Sequence, residues 1–155
     1  AVIGVVASNT GNEFFFDLAL YPKIKDYRWY ENGSGYLQST IKNNTVLAHH
    51  LVKGTPPHGY IIDHKDLDRK NCRNANIRFI TIPENGANAG LSSRNASGYK
   101  GVTWDKARGK WMARVGGIYI GRYNNPIDAA RAYDKKAIEL YNECALTNKK
   151  LGLID

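Results

Sequence analysis

The sequence predicts an α+β fold in two modules, and three observations predict it. Two β-forming runs, YIID and NIRFIT, bracket a polar loop and lead into a helix signal at Pro83. Three further short runs, YKGVTWD, KWMARV and IYIGRY, are rich in aromatic and β-branched residues and are separated by turn residues. A helical period then begins at once in NNPIDAARAYDKKAIELYNECA. The second module is therefore a three-stranded antiparallel sheet packed on one helix.

Taken in order, EFFFDLAL (13–20) is apolar and fits a strand or a short helix. YRWYENGSGYLQ reads as two strands around Asn32–Gly33, a strong hairpin signal between aromatics. TVLAHHLV (45–52) again fits a strand or a short helix, and GTPPHG breaks the chain with two prolines flanked by glycines. Thr81 is a candidate cap for a helix over PENGANAGL, which its glycines weaken. The small, polar LSSRNASG (91–98) reads as a linker. In the last helix Asn125 can cap and Pro126 suits the first turn. Ile127, Ala130, Tyr133, Ala137 and Leu140 share one face there. The expected organisation is a first module over 1–90, the linker at 91–98 and a second module over 99–155.

The 155 residues carry 22 basic and 14 acidic side chains, a net charge of +8. Residues 1–48 are neutral, with four of each sign, whereas 99–155 hold eleven basic and six acidic residues. A basic face is the footprint expected of a phosphate-backbone binder. No apolar run approaches the ~20 residues of a membrane span. The opening AVIGVVA is too short, and lacks a basic leader, for a secretory signal. Cys72 and Cys144 match no zinc spacing and read as two reduced thiols. These features together lead to the expectation of a soluble intracellular protein.

All four histidines, His49, His50, His58 and His64, fall within sixteen residues. His58 in the proline-rich loop reads as solvent-exposed, and His50 as structural. Asp63–His64 closes a strand, where the turning backbone lets neighbouring side chains approach one substrate. A carboxylate is a hard ligand for magnesium or manganese, and a neutral imidazole can take a proton from water. Those are two requirements of phosphodiester hydrolysis. Asn76 opens the next strand, and Asn85 lies in the first turn of the following helix, where its amide oxygen is a further hard, uncharged ligand.

AHHLVKG, IIDHKDLDRKNCRNANIRFIT and PENGANAG together resemble the HNH endonucleases of the phage and intron-encoded homing type. The segment from about Glu13 to Trp29 is similar to their leader segment. The resemblance implies a ββα-metal (His-Me finger) nuclease module, with His64 as general base. It implies that Asp63 and Asn85 hold one divalent metal, Mg2+ or Mn2+, on the scissile phosphate. It also implies that Asn76 pins the inter-strand loop, and that His49 matches the family's upstream strand histidine among the catalytic residues. Asn85, where many relatives carry histidine, looks like the homing subgroup. That subgroup implies a mobile, phage-borne gene and the cytoplasm of a phage-infected or element-bearing host cell.

Residues 98–124 hold six basic side chains and one acid, Asp105, interleaved with aromatics. Alternation puts Trp111, Ala113 and Val115 on one face of the sheet and Lys110, Met112 and Arg114 on the other. A basic sheet face fits the major groove of duplex DNA. From Gly98 to Asn148 the chain is similar to the DNA-binding domain of plant ethylene-response factors, the Apetala-two fold, with AARAYDKKA its most specific part. The resemblance implies that Lys100, Thr103, Arg108, Arg114 and Tyr119 face DNA. Trp104, Lys106, Lys110 and Arg122 complete the candidate DNA-binding set. Asp105 and Gly116 fall where that family is commonly basic, so a target sequence does not transfer.

The combined expectation is a metal-dependent endonuclease acting on double-stranded DNA, with no membrane role, as a monomer or a homodimer. A non-cleaving DNA-binding regulator with an inactive nuclease module is the rival reading. A structural zinc site drawing on His49, His64 and a cysteine is a third.

Overall fold

The computed structural model describes residues 3–155; Ala1 and Val2 of the opening AVIGVVA run lie outside them. It divides into two compact units, Ala1–Thr81 and Ile82–Asp155.

The first unit is built from three small antiparallel sheets. Strands β1 (Ile3–Ala7) and β2 (Glu13–Asp17) pair as one. On β2 the alternation buries Phe14 and Phe16, which makes the ambiguous 13–17 stretch a strand. A short 3-10 helix, Leu18–Leu20, and α1 (Tyr21–Ile24) follow. Strands β3 (Tyr30–Glu31), β4 (Leu37–Ile41) and β5 (Asn44–Leu47) form the second sheet.

The turn expected at Asn32–Gly33 is present but wider than a two-residue hairpin. Asn32 Oδ1 accepts from the N–H groups of Ser34 and Tyr36, and Gly35 takes the positive φ of 78°. An asparagine that bonds its own following backbone favours this longer loop.

TVLAHHLV divides between two elements, β5 and α2 (Ala48–Lys53). Ala48, Leu51 and Val52, at helical spacing, meet the core of Phe14, Phe16, Ile24, Trp29, Leu37 and Cys72. Strands β6 (Tyr60–His64) and β7 (Ile77–Thr81) make the third sheet, in a register that sets Asp63 opposite Arg78 and His64 opposite Ile77.

The second unit opens with α3 (Ile82–Asn88), which starts directly after β7, so Thr81 ends the strand at the position just before the helix. Strands β8 (Val102–Asp105), β9 (Lys110–Val115) and β10 (Ile118–Tyr123) form an antiparallel sheet in the order β10-β9-β8. Helix α4 (Pro126–Tyr141) packs on it, with Asn125 capping by accepting from the Ile127 N–H at 2.8 Å.

Ala129, Ala130, Tyr133 and Ala137 of α4 are buried against the sheet, whereas Leu140, expected on that face, is exposed. The buried alanines bring the helix close to the strands. At Gly101 (φ 73°) a Cβ would lie 2.0 Å from Tyr133 Cδ2 and 2.7 Å from the Arg114 carbonyl oxygen. Only glycine fits there.

Part of the 91–98 stretch is ordered onto this sheet. Asn95 Oδ1 accepts from the N–H groups of Ser97 and Gly98, and Ser97 Oγ donates to the Val102 carbonyl. The division between the units falls after Thr81, so α3 groups with the second unit, whereas the sequence reading grouped that helix with the first.

Candidate active site and nucleic-acid face

The end of β6 is the chemical centre of the first unit. Asp63 and His64 are both buried, and Arg78 Nε donates to Asp63 Oδ2 at 2.8 Å across the β6–β7 ladder. Burial holds His64 below the ordinary histidine range; Asp63, Asp66 and Asp68 oppose that and Arg69 adds to it. The imidazole is therefore neutral at pH 7, the form that accepts a proton.

Helix α2 brings His49 beside it, with ring centroids 5.5 Å apart. His49 thus reaches the site from a helix, where the sequence reading matched it to a strand. Burial, reinforced by His64 and then His50, pushes His49 down to about 4.

Tyr36 covers this pair at 5.2 Å from the His49 ring and 6.0 Å from the His64 ring. The Arg69 guanidinium lies 4.7 Å over the Tyr36 ring and donates to the Ser34 carbonyl. His50 is half-buried, 5.1 Å from the His49 ring, and His58 is exposed in its loop.

Between β6 and β7 the loop is tied by asparagines. Asn76 Nδ2 donates to the Asn71 carbonyl at 2.8 Å and to Asp66 Oδ1 at 2.9 Å, and its Oδ1 accepts from the Asp66 N–H. Asn71 Nδ2 donates to Asp66 Oδ2 at 2.7 Å. Burial pushes Asp66 up, but the bonds from Asn71, Asn76 and the Asp68 N–H outweigh it and leave the carboxyl below its usual range. The polar lacing of the 59–81 stretch therefore satisfies the loop between β6 and β7 with its own asparagine and aspartate side chains.

Of the residues singled out in the sequence, His49 lies beside His64, Asp63 meets Arg78, and Asn76 ties the loop between the strands. Sequence reasoning missed Tyr36, Arg69 and Arg78. Strand register alone could have indicated Arg78, since it faces Asp63. Asn85 is exposed in the first turn of α3, in the second unit.

The donor chemistry separates two metals. Among the described residues, no group of three or more His, Cys, Asp and Glu side chains is placed to hold a metal ion. Cys72 Sγ is 3.9 Å from His64 Nε2, and burial pushes that thiol up to about 12, but the pair falls short of the four ligands a structural zinc takes. Magnesium needs fewer protein ligands, because one or two side-chain oxygens suffice when phosphate and water complete the shell. Asp63 in the first unit carries a carboxylate oxygen of that kind, and Asn85 in the second an amide oxygen. A carboxylate accepts more than one bond, so the Arg78 contact is compatible with it.

In the second unit, strand register gathers Thr103, Asp105, Lys110, Met112, Arg114, Tyr119 and Arg122 on the sheet face away from α4. Thr103, Lys110, Arg114 and Tyr119 are exposed. Arg122 is pre-set on this face: Nε donates to Asp105 Oδ2 at 2.7 Å, and the guanidinium lies 5.1 Å over the Tyr119 ring. The bond from Arg122 holds the Asp105 carboxyl below its usual range. Lys106 and Arg108 are exposed at the β8–β9 turn, and Arg108 reaches Asp105 at 3.5 Å.

Two expected members lie elsewhere. Trp104 is exposed, yet alternation places it on the other face, 5.0 Å from the Trp111 ring. Lys100 is buried, and its ammonium donates to the carbonyls of Ala87 and Ala89.

Comparison with known proteins divides the chain in the same two directions. Residues 46–87 match the HNH endonuclease family model and residues 97–143 match the AP2 domain model, which bears out both resemblances. A segment similar to HNH endonucleases is thus followed by one similar to AP2 domains. The chain is 28% identical over 145 residues to an HNH endonuclease of Acanthamoeba polyphaga mimivirus, covering 90% of this chain and 76% of that one. An ethylene-responsive transcription factor of Arabidopsis thaliana is 42% identical over 62 residues, 36% of this chain. A second, AP2-like factor from the same plant is 38% identical over 69 residues, 41% of this chain. Only 14% and 12% of those two regulators are spanned. No solved structure matches. Among the described residues no helix is long and apolar enough to cross a membrane.

Proposed function

We propose that this chain is a site-directed DNA endonuclease of the homing type. One observation carries the reading: inside the HNH match, Asp63 and His64 sit together at the buried end of β6 with the imidazole held neutral. His64 takes a proton from water as its oxygen attacks phosphorus. The P–O3′ bond breaks and the departing 3′ oxygen takes a proton from solvent, leaving a 5′ phosphate and a 3′ hydroxyl. Asp63 and Asn85 would hold a divalent ion, Mg2+ or Mn2+, which would supply Lewis acidity toward the phosphate. Arg78 orients Asp63 across the ladder, and Asn76 keeps the loop between the strands in place.

In this reading residues 1–90 act as the nuclease module and 99–155 as the DNA-binding one. Lys110, Arg114, Tyr119, Arg122 and Thr103 meet duplex DNA, while Lys106 and Arg108 meet flanking phosphates. One site per chain yields a nick from a monomer and a double-strand break from a dimer.

The Arg78–Asp63 ion pair favours one rival, a DNA-binding regulator that does not cleave, since a carboxylate committed to an arginine is a poorer metal ligand. Supercoiled plasmid with Mn2+ separates the two. Wild type is expected to nick, and His64→Ala to lose at least about 100-fold in rate while retaining DNA affinity, the usual scale for a lost general base. Equal nicking by both proteins would remove His64 from the chemistry, and no nicking by wild type would favour the regulator.

A further inference from the structure

Lys100 sits where the AP2 resemblance expects a DNA contact, yet it is 8% exposed and points inward. Its Nζ donates to the carbonyls of Ala87 and Ala89, at the C-terminal end of α3. The Ala87 carbonyl also accepts from the Leu146 N–H at 3.1 Å.

Lys100 is itself fixed on both sides of its backbone. Its N–H donates to Asn148 Oδ1 at 2.6 Å, and its carbonyl accepts from Asn148 Nδ2 at 3.1 Å. Asn148 is wholly buried and donates through both its N–H and its Nδ2 to Asp134 Oδ1 of α4. A continuous set of buried bonds therefore runs from α4 through Asn148 and Lys100 to the last carbonyls of α3.

Helix α3 needs such support. Its seven residues include Pro83 and Gly86, and a two-turn helix has no stability of its own in water. Its last carbonyls lack intrahelical partners, and a buried ammonium is a strong donor for them. What orients α3 is thus the frame of the DNA-binding sheet and its helix.

We infer that Lys100 is a positioning residue for the nuclease reaction: by clamping the C-terminal carbonyls of α3 it fixes the helix that presents Asn85. The inference rests on the reading of Asn85 as a metal ligand. Both the clamp and the helix it holds lie within the second unit, so the placement of Asn85 depends on that unit's own buried bonds.

The test uses the full chain and Lys100→Met, which keeps length and loses the donors. In metal-free protein the α3 amides, Ala89 N–H above all, are expected to exchange about 10-fold faster, while β9 and β10 amides keep their protection. The Mn2+ concentration for half-maximal plasmid nicking is expected to rise about 10-fold, the scale on which residues behind a metal ligand act, with plasmid affinity unchanged. Lys100→Gln, which keeps an N–H donor, should fall between.

Unchanged α3 exchange together with an unchanged Mn2+ requirement would overturn the inference. So would a uniform loss of protection across the unit in both variants, which would make Lys100 a folding residue only. Full nicking by Asn85→Ala would sink the underlying metal-ligand reading instead, whatever Lys100 does to α3.

Discussion

His49 shows how one side chain ties this fold to pH. It is buried beside His64 and His50, so its charged form is disfavoured in the folded protein and its pKa falls to about 4. The unfolded chain takes up that proton near pH 6.5. Between those values the unfolded state binds more protons, so stability is full above pH 6.5, falls as pH drops, and stops falling below about 4. The shift corresponds to roughly 3 kcal/mol. Urea midpoints measured from pH 7.5 to 4 should therefore decline more steeply in wild type than in His49→Gln. Parallel declines would show that His49 titrates normally. Burial likewise pushes the Cys72 thiol up to about 12, although it lies 3.9 Å from His64 Nε2.

Among the elements, the β8–β10 sheet and α4 depend on close approach. Ala129, Ala130 and Ala137 leave room for the strands, and Tyr133 fills the space over Gly101. Gly101→Ala adds both an unfavourable positive φ and a side chain inside the Tyr133 ring. It should cost roughly 2–5 kcal/mol, read as a fall in the thermal midpoint, with Gly109→Ala as an open-space comparison. If the two variants melt together, the packing described around Tyr133 is wrong.

The same sheet shows what strand alternation makes legible. Trp111, Ala113 and Val115 face α4 as their spacing indicates, and Lys110 and Arg114 face outward. Leu140 departs from its helical stripe because the packed face continues from Tyr133 and Ala137 to Tyr141, and Trp104 lies on the α4 side of the sheet because strand register pairs it with Trp111. TVLAHHLV could not be resolved from sequence because a four-residue strand and a six-residue helix share one apolar run.

For the molecule as a whole, charge grows along the chain from a neutral first third to an excess of five basic residues over 99–155 (eleven less six). Binding to duplex DNA should therefore be salt-dependent. Lys110→Ala with Arg114→Ala removes two exposed cations from one face and should lower the slope of log K against log salt by about 2. An unchanged slope would place the DNA elsewhere. Cleavage by that double variant at low salt should persist, since neither residue belongs to the β6 site.

By itself the sequence determined the parts whose causes are local: the β6–β7 hairpin, the three-stranded sheet, the capped α4, and the Asp63–His64 pair with its asparagine-laced loop. Caps, turns and alternation act over a few residues, so the residues announce them. The tertiary structure decided what each side chain meets. It set Arg78 against Asp63 and Tyr36 over the histidines, and it turned Lys100 inward onto α3. Those outcomes depend on contacts between residues far apart in the chain, and no local pattern carries them.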